Sequence, residues 1–187
     1  MLEGGSRGKP VVLLGRTIAT PTARDRAMAR IAHRMLQEET EASLSIAGDL
    51  AVLAIALPVS ASDPDDGLEK ELEALHELAK DRPQRQRVFQ AARLWLGARM
   101  VQASLDGEDW TALWSESMDL ADDDGDIARA LAREASLMLD TNPETLATWT
   151  RTWIDPLEGR GGWVWVGAGI EGRTERRLSR GVEVRKR

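Results

Sequence analysis

The segment Leu50–Val59 is the most apolar stretch of this 187-residue chain. Any fold must bury it. Extended back to Ala42 it approaches bilayer-spanning length, but Asp49 and Pro58 interrupt it, which argues against a membrane span. Met28, Ile31, Met35, Ala42 and Ile46 recur at spacings of one helical face, and Leu50, Leu53 and Leu57 continue the stripe. This predicts a helix that is apolar all round, kinked or broken near Gly48-Asp49 and buried at the centre of a bundle or an oligomer.

Further helices are expected on both sides of Pro83. Leu68, Leu72, Leu75 and Ala79 would face inward, with Glu73 and His76 facing water. The next helix offers Val88, Ala91, Trp95, Ala98 and Val101 as its inner face. Trp110 to Ala121 and Ile127 to Met138 read as two more. Asn142-Pro143-Glu144 is a strong helix start, with a capping Asn and Pro at the first position. Strand material lies at the ends: Val11–Leu14 and Trp163–Val166 are expected to pair, and Gly181–Val184 could add a short strand. The predicted fold is therefore mainly α: an irregular bundle of about six helices with a small sheet or β-like arm. The implied division is an N-terminal segment 1–19, a helical body 20–157 and a Gly-rich basic arm 158–187.

Composition narrows the chemistry. With no Cys, neither a disulfide nor a thiolate metal site can form. Met1–Pro10 lacks the apolar stretch of a secretory signal, and a cytoplasmic location is expected. From Arg173 to Arg187 seven basic residues face two acidic ones, a net of +5. Residues 1–172 then carry −11 of the overall −6. Such a tail should meet something negative, either the acidic body or a nucleic acid.

Chemical motifs fail on context. Gly167-Ala168-Gly169-Ile170-Glu171-Gly172 has G-x-G-x-x-G spacing after a predicted strand, but a dinucleotide-binding unit needs a longer βαβ continuation than the fifteen residues that follow. Gly4–Lys9 is no phosphate loop, because Glu3 stands where the first Gly belongs and Pro10 follows Lys9. Glu73-Ala74-Leu75-His76 has the Glu-x-x-His spacing of a di-iron helix, but the other histidine, His33, has Arg30 three positions earlier. The acidic run Asp119–Asp126 places Leu120 and Leu131 at calcium-ligand positions. Neither His33 nor His76 sits in a recognisable nucleophile elbow. These readings leave no catalytic, metal or cofactor site.

The expected function is a non-enzymatic helical subunit or adaptor, with protein partners or self-association. The alternative is a small nucleic-acid-associated subunit of a nucleoprotein complex, and an unfamiliar enzyme comes third. The candidate contact residues are Trp163, Trp165, Arg173, Arg176, Arg177, Arg180, Arg185, Lys186 and Arg187.

Overall fold

The computed structural model describes residues 11–38, 40–58, 64–78, 83–103, 127–156, 162–167 and 182–184. The chain runs β1 (Val11–Ala19), α1 (Ala23–Leu36), β2 (Glu41–Ala47), β3 (Leu50–Pro58), α2 (Pro64–Leu78), α3 (Pro83–Ala103), α4 (Ile127–Asp140), α5 (Pro143–Trp153), β4 (Trp163–Gly167) and β5 (Val182–Val184). Five strands form one sheet in the order β2-β3-β1-β4-β5. The first four are antiparallel neighbours, and β5 runs parallel to β4. The fold is thus mixed α/β, not a helical bundle.

The largest correction falls on the segment 42–57. It is a β-hairpin, not a helix. Ala47 pairs with Leu50 across the two-residue turn Gly48-Asp49. Gly48 has φ +58, while among the described residues no non-Gly residue, Asp49 included, has positive φ, the φ pattern of a II′ hairpin turn. The error has a plain cause. Positions 46, 50, 53 and 57 fit helical spacing, but Ala51, Leu53, Ile55 and Leu57 fit a period of two equally well. Only the second set is uniformly buried. Val52 and Leu50 face outward, which a helix apolar all round would not predict.

β1 sits inside the sheet with β3 on one side and β4 on the other. Its ladder with β3 runs from Val11↔Pro58 to Ala19↔Leu50. Val12, Leu14, Arg16 and Ile18 alternate onto the buried face, in register with Leu57, Ile55, Leu53 and Ala51. β1→α1→β2 and β3→α2–α5→β4 each join parallel strands that have one strand between them. Right-handed connections in both cases put every helix on the same side of the sheet. The burial pattern agrees: the other side exposes Leu13, Leu50 and Val52.

Local signals place the helices. Thr22 caps α1: its hydroxyl oxygen accepts from Asp25 N at 3.1 Å and donates to Asp25 Oδ2 at 2.6 Å. Asn142 caps α5, accepting from Thr145 N at 2.8 Å ahead of Pro143. Arg93 reaches from α3 to the C-terminal end of α4, donating to the Leu139 and Thr141 carbonyls at 2.7 and 3.3 Å.

On α3 the expected phase is also corrected. Phe89, Ala92 and Gly97 are buried, whereas Ala91, Trp95, Ala98 and Val101 are exposed. α3 is apolar on more than one side, so periodicity alone could not choose its inner face. The expected helix from Trp110 to Ala121 lies outside the described residues.

The buried place of Ile55 gives a direct test. Ile55→Asp would put an unpaired carboxylate at the centre of the sheet, in register with Leu14 and Ala42, and it is expected to cost about 3 kcal/mol or more by denaturant unfolding. An unchanged unfolding midpoint would contradict this placement.

Candidate functional site

Among the described residues titratable groups gather in three places, two of them on the helical side of the sheet. The first centres on Arg16, an arginine on the buried face of β1. Its guanidinium carbon lies 5.5 Å from the Trp153 ring centroid and 5.6 Å from that of Trp163. Two indole faces thus line a buried cation, a contact that strengthens away from water. Trp163 is brought there by β4, where it pairs with Arg16 across the ladder.

Two residues beyond Trp153 stands Asp155, 1% exposed. It accepts a hydrogen bond from His76 Nδ1 at 2.8 Å. α2 supplies the imidazole, and the end of α5 supplies the carboxylate. His76 is therefore largely buried and partnered, not on the wet side of α2 as its sequence phase suggests. A carboxylate on Nδ1 fixes the tautomer and leaves Nε2 as the second ring nitrogen, the orienting half of many catalytic and metal sites. The other half is missing: among the described residues no three His, Asp or Glu side chains converge as metal ligands. The indole nitrogens of Trp149 and Trp163 are buried with no acceptor found for either.

The second grouping ties α1 to α4. Arg30 Nε donates to Glu134 Oε1 at 2.7 Å, and the Glu134 side chain is 1% exposed. Burial pushes the pKa of neighbouring Arg26 below its usual value; Glu134 opposes that shift and Arg30 adds to it. The third is an open cleft of about 630 Å³ beside the edge strand β2, with Arg34, Gln37, Glu41 and Ser43 among its lining. Among the described residues that line it, Glu41 is the one carboxylate and none is a histidine. His33 instead spans to β2, its Nε2 3.1 Å from the Ala42 carbonyl oxygen.

The sequence-predicted contact residues divide sharply. Trp163 is in the core, 1% exposed. Trp165 occupies a β4 position paired with Leu14 and Val184. Arg173, Arg176, Arg177, Arg180, Arg185, Lys186 and Arg187 lie outside the described residues, as do Gly169–Gly172 and Asp119–Asp126. Sequence reasoning missed Arg16 and Glu134. An Arg within an apolar strand run, and a Glu on the inner phase of a helix, are the signals that could have found them.

No family model matches the chain, and no curated protein matches it. Solved structures do. The inactive peptidase domain of a zinc protease from Bordetella parapertussis matches with a TM-score of 0.66 at 13% identity, covering 90% of this chain and 96% of that one. A zinc protease from Bordetella pertussis matches at 0.59 and 13% identity, covering 89% and 97%. The fold is that of a zinc-protease peptidase domain. The same fold recurs within longer chains. It spans 18% of the periplasmic protease PqqL from Escherichia coli, at a TM-score of 0.56, 10% identity and 80% of this chain. In the ferredoxin protease FusC, solved with Arabidopsis ferredoxin, the match spans 22%, at 0.57, 10% identity and 92% of this chain.

These likenesses overturn the expectation of a helical adaptor or nucleoprotein subunit, because the fold shared with these structures is mixed α/β and not a helical body. No helix among the described residues is long and apolar enough to cross a membrane. One neighbour is periplasmic, so the fold does not itself imply the cytoplasm.

The Arg30–Glu134 pair makes a quantitative expectation. Glu134→Ala strands a mostly buried cation and should cost about 3 kcal/mol. Adding Arg30→Met to that variant should recover a good part of the loss, since a well-packed apolar replacement removes the uncompensated charge. A double variant no more stable than Glu134→Ala would show that the two residues do not interact.

Proposed function

We propose that this chain is a peptidase-fold domain of the zinc-protease type that has no hydrolytic zinc centre of its own. The ligand inventory carries this reading. Catalytic zinc in proteases is held chiefly by imidazole, with paired histidines on one helix in H-E-x-x-H or H-x-x-E-H spacing and a glutamate as general base. This chain has two histidines, His33 and His76, far apart in sequence and on different helices. Neither stands in either motif. Each is engaged in the fold, His33 toward the Ala42 carbonyl and His76 with Asp155. The residues present therefore do not fit a zinc-protease metal centre.

The likeness to a domain described as an inactive peptidase, over nearly the full length of both chains, supports the same reading. Among the described residues one sheet face exposes Leu13, Leu50 and Val52, and a cleft opens beside the edge strand β2, surfaces that a polypeptide could use. The FusC neighbour holds a protein, ferredoxin, in its complex, and polypeptide is the ligand class proposed here.

Metal analysis and a protease assay test the reading together. The purified chain should carry far less than one zinc per chain after dialysis against zinc, and it should show no chelator-sensitive cleavage of an unfolded protein substrate. Stoichiometric zinc together with hydrolysis abolished by a chelator and restored by zinc would overturn it.

A further inference from the structure

α1, α3 and α4 pack against one another and carry a charge opposite to the rest of the chain. Their sequences hold ten arginines against Asp25, Glu134 and Asp140, a net of +7. The whole chain is at −6, so everything else sums to −13. Glu134 and Arg30 neutralise each other in a mostly buried pair, so the rest of this layer still carries the net of +7. Arg24, Arg87, Arg99, Arg129 and Arg133 are all exposed.

α3 adds an apolar seam to that charge. Its 21 residues contain no acid. Arg87, Ala91, Leu94, Ala98 and Val101 are all exposed and succeed one another at steps of four, three, four and three. That is the spacing of a helix–helix seam. Leu94 and Val101 are each 57% exposed. The alternation of Ala with Leu and Val makes the shallow holes into which a second helix sets its side chains. Leu139 of α4, exposed beside Gly97, borders one flank. On the other, Trp95 is held between two guanidinium groups, Arg34 at 4.6 Å and Arg99 at 5.2 Å from its ring centroid. A preset Trp flanked by Arg is the composition of an interface hot spot.

We infer that the outer face of α3, with the basic surface of α1 and α4 around it, is a docking site for an acidic amphipathic helix of another polypeptide. The seam spacing selects a helix. The surrounding +7 selects acidic flanking positions on it. Nucleic acid would satisfy the arginines but leave Leu94, Val101 and Leu139 without a counterpart. A lipid surface would gain little from Ala91 and Ala98. The inference rests on exposure, spacing and charge, and it stands apart from the zinc-free reading above.

The probe is a fluorescein-labelled helical peptide of three heptads with Leu at a and d and Glu at e and g, titrated into the full chain. Micromolar binding is expected, weakening by about tenfold or more between about 50 and about 300 mM salt. Leu94→Glu combined with Val101→Glu should weaken it by at least about tenfold, and Arg87→Glu with Arg99→Glu should both weaken it and flatten the salt dependence. All four positions are exposed, and unchanged thermal melting will show that the variants fold. The same peptide with Lys at e and g should not bind. The inference is overturned if the acidic peptide does not bind, as would follow if the acidic sequence 104–126 or a second copy of the chain already occupied the seam. It is equally overturned if the Lys peptide binds as well, if the Leu94/Val101 variant binds normally, or if double-stranded DNA or anionic vesicles bind and the peptide does not.

Discussion

Everything in this fold hangs on β1. It is the strand between β3 and β4, so its alternate residues must serve two ladders and the helical layer at once. Val12, Leu14 and Ile18 do this by burial. A slip of one residue would carry all of them to the bare face and bring Leu13, Gly15 and Thr17 inward. The register is therefore fixed by hydrophobic burial across both ladders, and the β2–β3 turn at Gly48 holds the hairpin that completes it.

Arg16 breaks that apolar pattern. Placing a guanidinium in the middle of the central strand is tolerable only where the surroundings accept positive charge, and two indole rings do so from Trp153 and Trp163. The His76–Asp155 and Arg30–Glu134 contacts have the same character: each links elements distant in sequence through mostly buried polar atoms. Two of these three ties fix helix α5 or its end, and the third fixes α4 on α1. In a peptidase-like fold the titratable groups of the interior are thus spent on joining the helical layer together and to the sheet.

The distribution of charge tells a related story on the outside. A chain with pI near 5.1 keeps a strongly basic layer of three helices, and the apolar seam of α3 lies within it. Buried packing explains the inner residues of α3, Phe89 and Ala92. It does not explain Leu94 or Val101, which gain nothing from the core and cost solubility.

Much local structure could be read from sequence. Thr22 and Asn142 mark helix starts by their own hydrogen-bonding chemistry, and the strand character of Val11–Leu14 and Trp163–Val166 follows from residue type. These signals are local, so they survive without tertiary context. Other features depended on it. The run 42–57 satisfies both periods, and only pairing with β1 decides for the strand. α3 has apolar residues on opposed faces, and only contact with α1 and α4 decides which is inner. His76 and Asp155 are 79 positions apart, and nothing in either neighbourhood announces the other. The absence of paired histidines was written in the composition, but its meaning was not. Which fold the two histidines belong to was decided only by the strand order and the helical layer, because fold is set by long-range pairing that local residue patterns do not encode.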